Sequence, residues 1–153
     1  MKKAVFPGSF DPITIGHLDI VERAIKVFDE IIIAVGDNTD KKYMFPKEKR
    51  VEFVKQTFNN YNSIKIESYS GLTVDFCKKN NTEFMIRGLR NPADFEFEKS
   101  VAQMNRKLSG IETVFLLTSA AHSFISSSIV REIMCFGGDY TSLVPKAVRS
   151  KQA

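Results

Sequence analysis

A dozen residues near the N-terminus combine the residue types that suit phosphate binding. The stretch Phe6–His17 follows an apolar run, contains two prolines and two glycines, and ends where an amphipathic helix pattern starts. It is typical of a strand, a tight loop and a helix N-terminus, where free backbone N–H groups meet the positive end of the helix dipole. Thr14, Gly16 and His17 add a hydroxyl, a glycine that permits close approach, and an imidazole that can donate Nε2–H to a phosphate oxygen.

Two further segments carry candidate anion ligands. Arg87 and Arg90 flank Gly88, and forked guanidinium groups match the geometry of phosphate oxygens. Residues 126–128 are all serine and precede Arg131 by about one helical turn. The serines are either a simple helix cap or the start of a phosphate-binding helix, and the two arginines are either solvated or ligands.

The absence of several common motifs reduces the number of reactions that this chain could catalyse. The sequence has no G-x-x-x-x-G-K-[ST], no G-x-G-x-x-G after its first strand, no G-x-S-x-G, and no His, Cys or carboxylate set with metal-ligand spacing. What remains is phosphate chemistry without a covalent intermediate, with His17 at its centre. A helix N-terminus would lower the pKa of His17 and a bound triphosphate would raise it, so the pattern leaves its charge open.

Apolar runs and breaker residues alternate in a way that predicts the elements around these residues. The predicted strands are Lys3–Phe6, Ile31–Val35, Ser63–Glu67, Phe84–Ile86 and Thr113–Leu117. The predicted helices are His17–Phe28, Pro46–Asn59, Leu72–Lys79, Ala93–Leu108 and Ser127–Phe136. The alternation predicts one α/β domain over residues 1–153, built on a single doubly wound, five-stranded parallel sheet.

The polar stretches of the sequence all follow predicted strands. They are residues 8–17, 36–42, 68–73, 87–90 and 118–128. In doubly wound sheets, ligands bind outside the carboxyl ends of the strands. We therefore expect these five stretches to meet at one edge of the sheet and to form a single site.

Composition favours a globular protein in a reducing compartment. The 153 residues are 43% hydrophobic and 26% charged, and the net charge of +4 is spread along the chain, so we expect no nucleic acid partner. Cys77 and Cys135 lie far apart in helix-like patterns and are expected to be buried thiols. No signal-peptide or membrane-span pattern is present, so we expect a cytoplasmic protein without a membrane partner.

Several of these motifs together resemble a known family. Gly8–His17 with its T-x-G-H ending, R-G-L-R at Arg87–Arg90, D-F-E-F-E at Asp94–Glu98 and I-S-S-S-x-x-R at Ile125–Arg131 are similar to the signatures of the T/H-x-G-H nucleotidyltransferase superfamily. Within it, the chain resembles the bacterial phosphopantetheine adenylyltransferases over about residues 3–145. The resemblance implies a Rossmann-like nucleotidyltransferase fold.

The resemblance implies a reaction and its partners. The adenylyl group of ATP would pass to 4′-phosphopantetheine by direct in-line attack, giving 3′-dephospho-coenzyme A and pyrophosphate in the penultimate step of coenzyme A biosynthesis. Mg²⁺ would be held mainly by substrate phosphates, and coenzyme A is the expected feedback ligand. The related enzymes are homohexamers, so we expect a homo-oligomer here.

Roles for single residues also come from the resemblance. His17 would stabilise the transition state, with Arg90 and Ser128 as further catalytic residues. The residues implied in binding phosphopantetheine are Ser9, Lys41, Thr73 and Arg87. The residues implied in binding ATP are Ser9, Phe10, His17, Gly88, Leu89, Arg90, Glu98, His122, Ser123, Phe124, Ile125, Ser126, Ser127 and Ser128. Read from the residues alone, Lys41 and Glu98 are more typical of a solvated surface.

The chain departs from the family pattern at a few positions. Ser9 and Ser128 replace the usual threonines and keep the hydroxyl, whereas Phe97 replaces a frequent tyrosine and loses one. Thr73 occupies a variable position, which weakens its assignment. None of these changes removes a charged group.

Two alternatives accompany this interpretation. One is a sister enzyme, such as a cytidylyltransferase or a nicotinamide-mononucleotide adenylyltransferase, which the R-G-L-R and 94–98 segments disfavour. The other is a non-catalytic nucleotide- or RNA-binding module akin to a class I tRNA-synthetase core. The sequence lacks the K-M-S-K-S segment of that class.

Overall fold

Strands and helices alternate along the chain in the computed structural model, which describes residues 1–149. The strands are β1 (Lys3–Gly8), β2 (Glu30–Gly36), β3 (Ile64–Tyr69), β4 (Phe84–Leu89) and β5 (Glu112–Leu117). The helices are α1 (Ile15–Ala24), α2 (Lys47–Thr57), α3 (Thr73–Lys79), α4 (Pro92–Ser109) and α5 (Ser127–Cys135). The last four residues of the predicted 1–153 domain lie outside the described range.

All five strands form one parallel sheet in the order β3-β2-β1-β4-β5. The chain winds outward from β1 to β3 and then crosses back to place β4 on the other side of β1. This reversal creates a crevice between the carboxyl ends of β1 and β4, where ligands of such sheets bind. The predicted doubly wound α/β fold is confirmed.

The core is divided between the two faces of the sheet by the alternation of side chains along β2. Ile31, Ile33 and Val35 pack with α1 and α2 on one face, whereas Ile32 and Ala34 pack with α3 on the other. All five side chains are at most 1% exposed. A strand covered on both faces requires an uninterrupted apolar run, which is the pattern that predicted it.

Several sequence-based expectations are wrong in detail. The helix predicted over His17–Phe28 spans Ile15–Ala24. The predicted strand Phe84–Ile86 continues to Leu89 because its ladder with β5 continues, with Arg87 opposite Phe115. Arg87 and Gly88 are therefore strand residues rather than loop residues. Cys77 is buried as expected, but Cys135 lies at the exposed end of α5.

Helix α4 has an apolar face that the described chain leaves uncovered. Phe97, Val101, Met104 and Leu108 are between 38% and 70% exposed, and none of the 18 residues of α4 is buried. We call these four side chains the outer α4 face. Neither α4 nor any other helix within residues 1–149 has the length and apolar character needed to cross a bilayer.

A buried carboxylate joins the loop after β1 to the segment before α2. Asp11 is 3% exposed, and its two carboxylate oxygens accept the backbone N–H groups of Met44 and Phe45, each over 2.9 Å. Since buried backbone donors need partners, this carboxylate fixes the distance between the two loops.

We expect Asp11→Ala to lower the free energy of unfolding by about 3 kcal/mol, because it leaves two backbone donors unpaired. Asp11→Asn keeps one acceptor oxygen and should lose less. Urea denaturation of both variants measures the difference. The exposed Asp40 provides the control, and Asp40→Ala should change stability by less than about 0.5 kcal/mol. Equal losses in the two Asp11 variants would contradict this account.

Candidate active site

Two adjoining cavities open at the carboxyl edge of the sheet. The larger cavity, about 850 Å³, lies between the residues that follow β2 and β3 and one side of α4. The smaller cavity, about 410 Å³, lies between the loop after β1, the end of β4 and the start of α5. All five predicted polar stretches contribute to their walls, which confirms that these stretches meet at one edge. The residues shared by both cavities are Pro7, Gly8, Ser9, Lys41, Arg87 and Glu98.

His17 lines the smaller cavity, and a capping box at the start of α1 holds its ring. Thr14 caps the helix, its backbone N–H donates to His17 Nδ1 over 3.0 Å, and the His17 backbone N–H donates to Thr14 Oγ1 over 3.4 Å. A ring nitrogen that accepts a backbone N–H cannot itself carry a proton. The neutral imidazole therefore carries its proton on Nε2, which makes Nε2–H its available donor.

The surroundings of His17 keep its ring neutral. Burial, followed by the positive charges of Arg87 and Arg90, lowers the pKa of His17 from 6.5 to about 4. The ligand-free protein therefore holds a neutral imidazole at neutral pH. Because the folded-state pKa is depressed, this group favours folding above pH 6.5, and its contribution is lost as the pH falls toward about 4.

The loop after β1 depends on close packing between Gly8 and Phe10. A Cβ at Gly8 would lie 3.1 Å from the Phe10 ring, so a larger side chain would displace that ring. Phe10 is 2% exposed, has a φ of +48°, and packs edge-on against His17 with ring centroids 5.0 Å apart. Phe10 thus has a strained backbone conformation, and its ring forms one wall of the smaller cavity.

Two arginines at the end of β4 are oriented by carboxylates of α4. Arg87 donates Nε and Nη2 to Glu98 over 3.0 and 2.6 Å, and Nη1 to the Pro7 carbonyl over 3.0 Å. Arg90 Nε lies 3.2 Å from Asp94 Oδ2. Because α4 supplies both carboxylates, it sets the direction of both guanidinium groups at the cavity walls.

Lys41 and Thr73 line the larger cavity, and Lys41 also lines the smaller one. Lys41 Nζ lies 3.3 Å from Ser9 Oγ, so the two residues meet where the cavities join. Thr73 Oγ1 lies 2.8 Å from the Tyr69 hydroxyl. The structure thus gathers Ser9, Lys41, Thr73 and Arg87, which the family resemblance groups together.

The serine triplet begins α5 at the wall of the smaller cavity. Ser126 is the N-cap, and its side chain accepts the Ile129 backbone N–H over 3.2 Å. Arg131 donates to Ser128 Oγ over 3.2 Å and to the Asp11 carbonyl over 2.8 Å, so it ties α5 to the loop after β1. Residues at the N-termini of both α1 and α5 therefore line one cavity, where the positive ends of two helix dipoles meet.

Most of the residues predicted to bind ATP line the smaller cavity, but four do not. Ile125 and the serine triplet reach its wall, as do Phe10, His17, Gly88, Arg90 and Glu98. The residues that lie outside the lining are Leu89, His122, Ser123 and Phe124. Leu89 is 7% exposed and Phe124 is 65% exposed. Their role in binding stays a prediction.

Sequence reasoning missed two residues that support the site, Arg50 and Asp11. Arg50 is 0% exposed and bonds to the Ser9 carbonyl over 2.8 Å. Arg50 lies in a charged helix pattern that is typical of a solvated face, so no local signal separated it from its neighbours. Asp11 precedes a proline in the first motif, and the sequence there does not distinguish a buried loop carboxylate from a solvated one.

Comparison with known proteins first defines the class. Residues 5–133 match the family described as cytidylyltransferase-like, so the chain is a nucleotidyltransferase. The chain is 62% identical over 151 residues to a phosphopantetheine adenylyltransferase of Flavobacterium psychrophilum, covering 99% of this chain and 100% of that one. It is 47% identical to one of Streptomyces coelicolor, covering 97% and 93%. The chain therefore belongs to the phosphopantetheine adenylyltransferase family, as its motifs indicated.

A solved structure supports the fold independently. The chain superposes on a Vibrio parahaemolyticus protein assigned as a nicotinate-nucleotide adenylyltransferase with a TM-score of 0.64, covering 96% of both chains. At 18% identity the likeness concerns the fold alone. It confirms the Rossmann-like nucleotidyltransferase fold.

We expect the His17 ring to stay neutral, with its proton on Nε2, from neutral pH down to below pH 5, because of the capping box and its lowered pKa of about 4. Long-range ¹H–¹⁵N correlation spectra of the ring nitrogens, recorded across a pH titration, measure both the tautomer and the midpoint. The chain has two histidines, so His122→Gln assigns the signals. A midpoint near 6.5, or a proton on Nδ1, would contradict the geometry.

Proposed function

We propose that this chain transfers the adenylyl group of ATP to 4′-phosphopantetheine, giving 3′-dephospho-coenzyme A and pyrophosphate, the penultimate step of coenzyme A biosynthesis. Membership of the phosphopantetheine adenylyltransferase family supports the substrates. One geometric observation carries the chemistry, namely a neutral His17 whose Nε2–H is its available donor in a cavity walled by two helix N-termini. Such a donor suits charge that develops on a phosphoryl group.

The two cavities suggest how the substrates divide the site. ATP occupies the smaller cavity, with Phe10, Arg90 and the serine triplet as its walls. Phosphopantetheine occupies the larger cavity, beside Thr73. Their phosphates meet at the shared wall, where Ser9, Lys41 and Arg87 lie, because these residues line both cavities.

The reaction is a direct in-line displacement at the α-phosphorus. A phosphate oxygen of phosphopantetheine forms the new P–O bond, the bond from the α-phosphorus to the bridging oxygen breaks, and pyrophosphate leaves with that electron pair. His17 Nε2–H donates to a non-bridging oxygen as charge accumulates there. Lys41, Arg87 and Arg90 supply positive charge, and no proton is removed by the protein. Catalysis comes from positioning and electrostatics.

Magnesium enters as part of MgATP, with phosphates as its main ligands. The carboxylates at the smaller cavity are already engaged, since Asp11 accepts two backbone N–H groups and Glu98 and Asp94 pair with Arg87 and Arg90. Within residues 1–149, no group of three His, Cys, Asp or Glu side chains is placed to hold a metal ion. The donor set thus favours an ion carried by the nucleotide.

We further propose an oligomeric state, a feedback ligand and a cellular location for this protein. The chain forms a homo-oligomer, a hexamer by resemblance, through the outer α4 face, because exposed apolar side chains grouped on one helix are typical of a protein–protein contact. Coenzyme A acts as a feedback ligand because it contains the phosphopantetheine and adenylyl groups that the two cavities receive. The protein works in the cytoplasm, which suits its free Cys77 and Cys135 thiols.

We expect His17→Ala to lower kcat by at least about 10²–10³-fold, because it removes a donor to the transition state. Incubation with ATP, magnesium and 4′-phosphopantetheine, followed by mass detection of dephospho-coenzyme A, measures the loss. Circular dichroism and urea denaturation check that the variant is folded. Near-normal turnover in a folded variant would remove His17 from the mechanism.

The same assay discriminates the alternative enzymes. Pyrophosphate release is compared with CTP in place of ATP and with nicotinamide mononucleotide in place of 4′-phosphopantetheine. Faster release with either replacement would favour a sister enzyme. Salt-dependent RNA binding without any turnover would favour the non-catalytic module.

We expect Met104→Glu and Leu108→Glu to dissociate the oligomer, because each places a charge on the outer α4 face. Light scattering coupled to size-exclusion chromatography gives the mass of the particle. Val27→Glu is the matched control, since Val27 is 53% exposed but lies beyond the end of α1. A wild-type monomer, or variants that keep the wild-type mass, would contradict the assignment of this face.

A further inference from the structure

Arg50 is a fully buried cation that no motif in the sequence singled out. It lies in α2 and its side chain is 0% exposed. Its Nη1 donates to the carbonyls of Ser9 and Gly36, each over 2.8 Å, and its Nε donates to the Phe45 carbonyl over 3.1 Å. Its Nη2 donates to Asp37 Oδ1 over 3.0 Å. One guanidinium thus binds the loop after β1, the end of β2 and the segment before α2.

An aromatic ring completes the surroundings of Arg50. The guanidinium carbon lies 3.8 Å from the centroid of the Tyr43 ring, within the range of a cation–π contact. The Tyr43 hydroxyl in turn accepts the Asn38 backbone N–H over 2.9 Å. Through the Tyr43 ring, Arg50 is therefore also connected to the Asn38 backbone, in the polar stretch that follows β2.

The partners of Arg50 are distributed unequally between the two cavities. Ser9, Gly36, Asp37 and Tyr43 all line the larger cavity. Of the five residues that Arg50 contacts, only Ser9 also lines the smaller one. A disturbance at Arg50 would therefore change the wall of the larger cavity far more than that of the smaller.

The free-energy cost of burying a cation indicates that Arg50 positions its neighbours rather than simply filling the core. Burying a cation has a desolvation cost that a well-packed apolar side chain of similar volume would avoid. A planar guanidinium, however, can bond several acceptors in fixed directions and stack on a ring at the same time. An apolar residue cannot hold three carbonyl oxygens from three segments in one arrangement.

We propose that Arg50 is the positioning residue of the acceptor cavity. It fixes the Ser9 backbone, which keeps Ser9 Oγ 3.3 Å from Lys41 Nζ where the cavities join. It also fixes the end of β2 at Gly36, the following Asp37 and Tyr43 against the same cavity. Arg50 itself, being buried, does not touch substrate. The inference rests on the proposed function, which assigns the larger cavity to 4′-phosphopantetheine.

The test is a comparison of the two substrates in an Arg50→Lys variant. We expect the KM for 4′-phosphopantetheine to rise about tenfold and the KM for ATP to change by less than about twofold. Lysine keeps the positive charge but lacks the planar guanidinium group that bonds several acceptors in fixed directions. Val54→Ala is the matched control, since Val54 is a 0% exposed residue of the same helix. It should lower Tm without separating the two KM values. Equal rises in both KM values, or no rise, in Arg50→Lys would overturn the inference.

A pair of Tyr43 variants tests the same idea if Arg50→Lys does not fold. Tyr43→Phe keeps the ring under the guanidinium, whereas Tyr43→Leu removes it. We expect the KM for 4′-phosphopantetheine to be about threefold higher in Tyr43→Leu than in Tyr43→Phe, with equal KM values for ATP. Equal acceptor KM values in the two variants would overturn the inference. A wild-type protein that makes no dephospho-coenzyme A would instead overturn the proposed function.

Discussion

The hydrogen bond from the Thr14 backbone N–H to His17 Nδ1 links the start of a helix to the chemistry of the site. Together with the return bond to Thr14 Oγ1, it caps α1 in the way that a serine and a glutamate cap many helices. Here the third helical position is an imidazole, so satisfying the helix end also selects the ring tautomer. Burial then keeps that ring neutral, and its remaining N–H becomes a fixed donor at a cavity that suits a nucleotide.

The parallel sheet supplies the second constraint. Because the carboxyl ends of all five strands point the same way, five loops distant in sequence meet at one edge. The reversal between β1 and β4 opens the crevice there, and α4 lies along it with Glu98 and Asp94 toward the site. The adjacent side of α4 is the exposed, apolar outer α4 face, and two of its members, Phe97 and Val101, also line the larger cavity. One helix thus orients the arginines of the site and contributes apolar side chains to its wall.

Strong local patterns predicted much of this arrangement, and long-range contacts decided the rest. The apolar run 31–35 is typical of a strand covered on both faces, and Ser126 was recognisable as a helix cap because capping is local. The length of β4 was underestimated because its last three residues pair with β5, 28 residues further along the chain. The exposure of Cys135 depends on which face of α5 packs against the sheet. The residues next to Cys135 in the sequence do not determine that face.

By itself, the sequence determined the alternation of elements, the strand-end position of the polar stretches and the family. These depend on periodicity, capping and short motifs, all of which act between residues close along the chain. Only the tertiary structure decided that Arg87 pairs with Glu98 rather than standing free, that His17 is neutral, and that Arg50 is buried among three carbonyl groups. The physical reason is that charge state and burial depend on neighbours brought from distant segments, which no local pattern encodes.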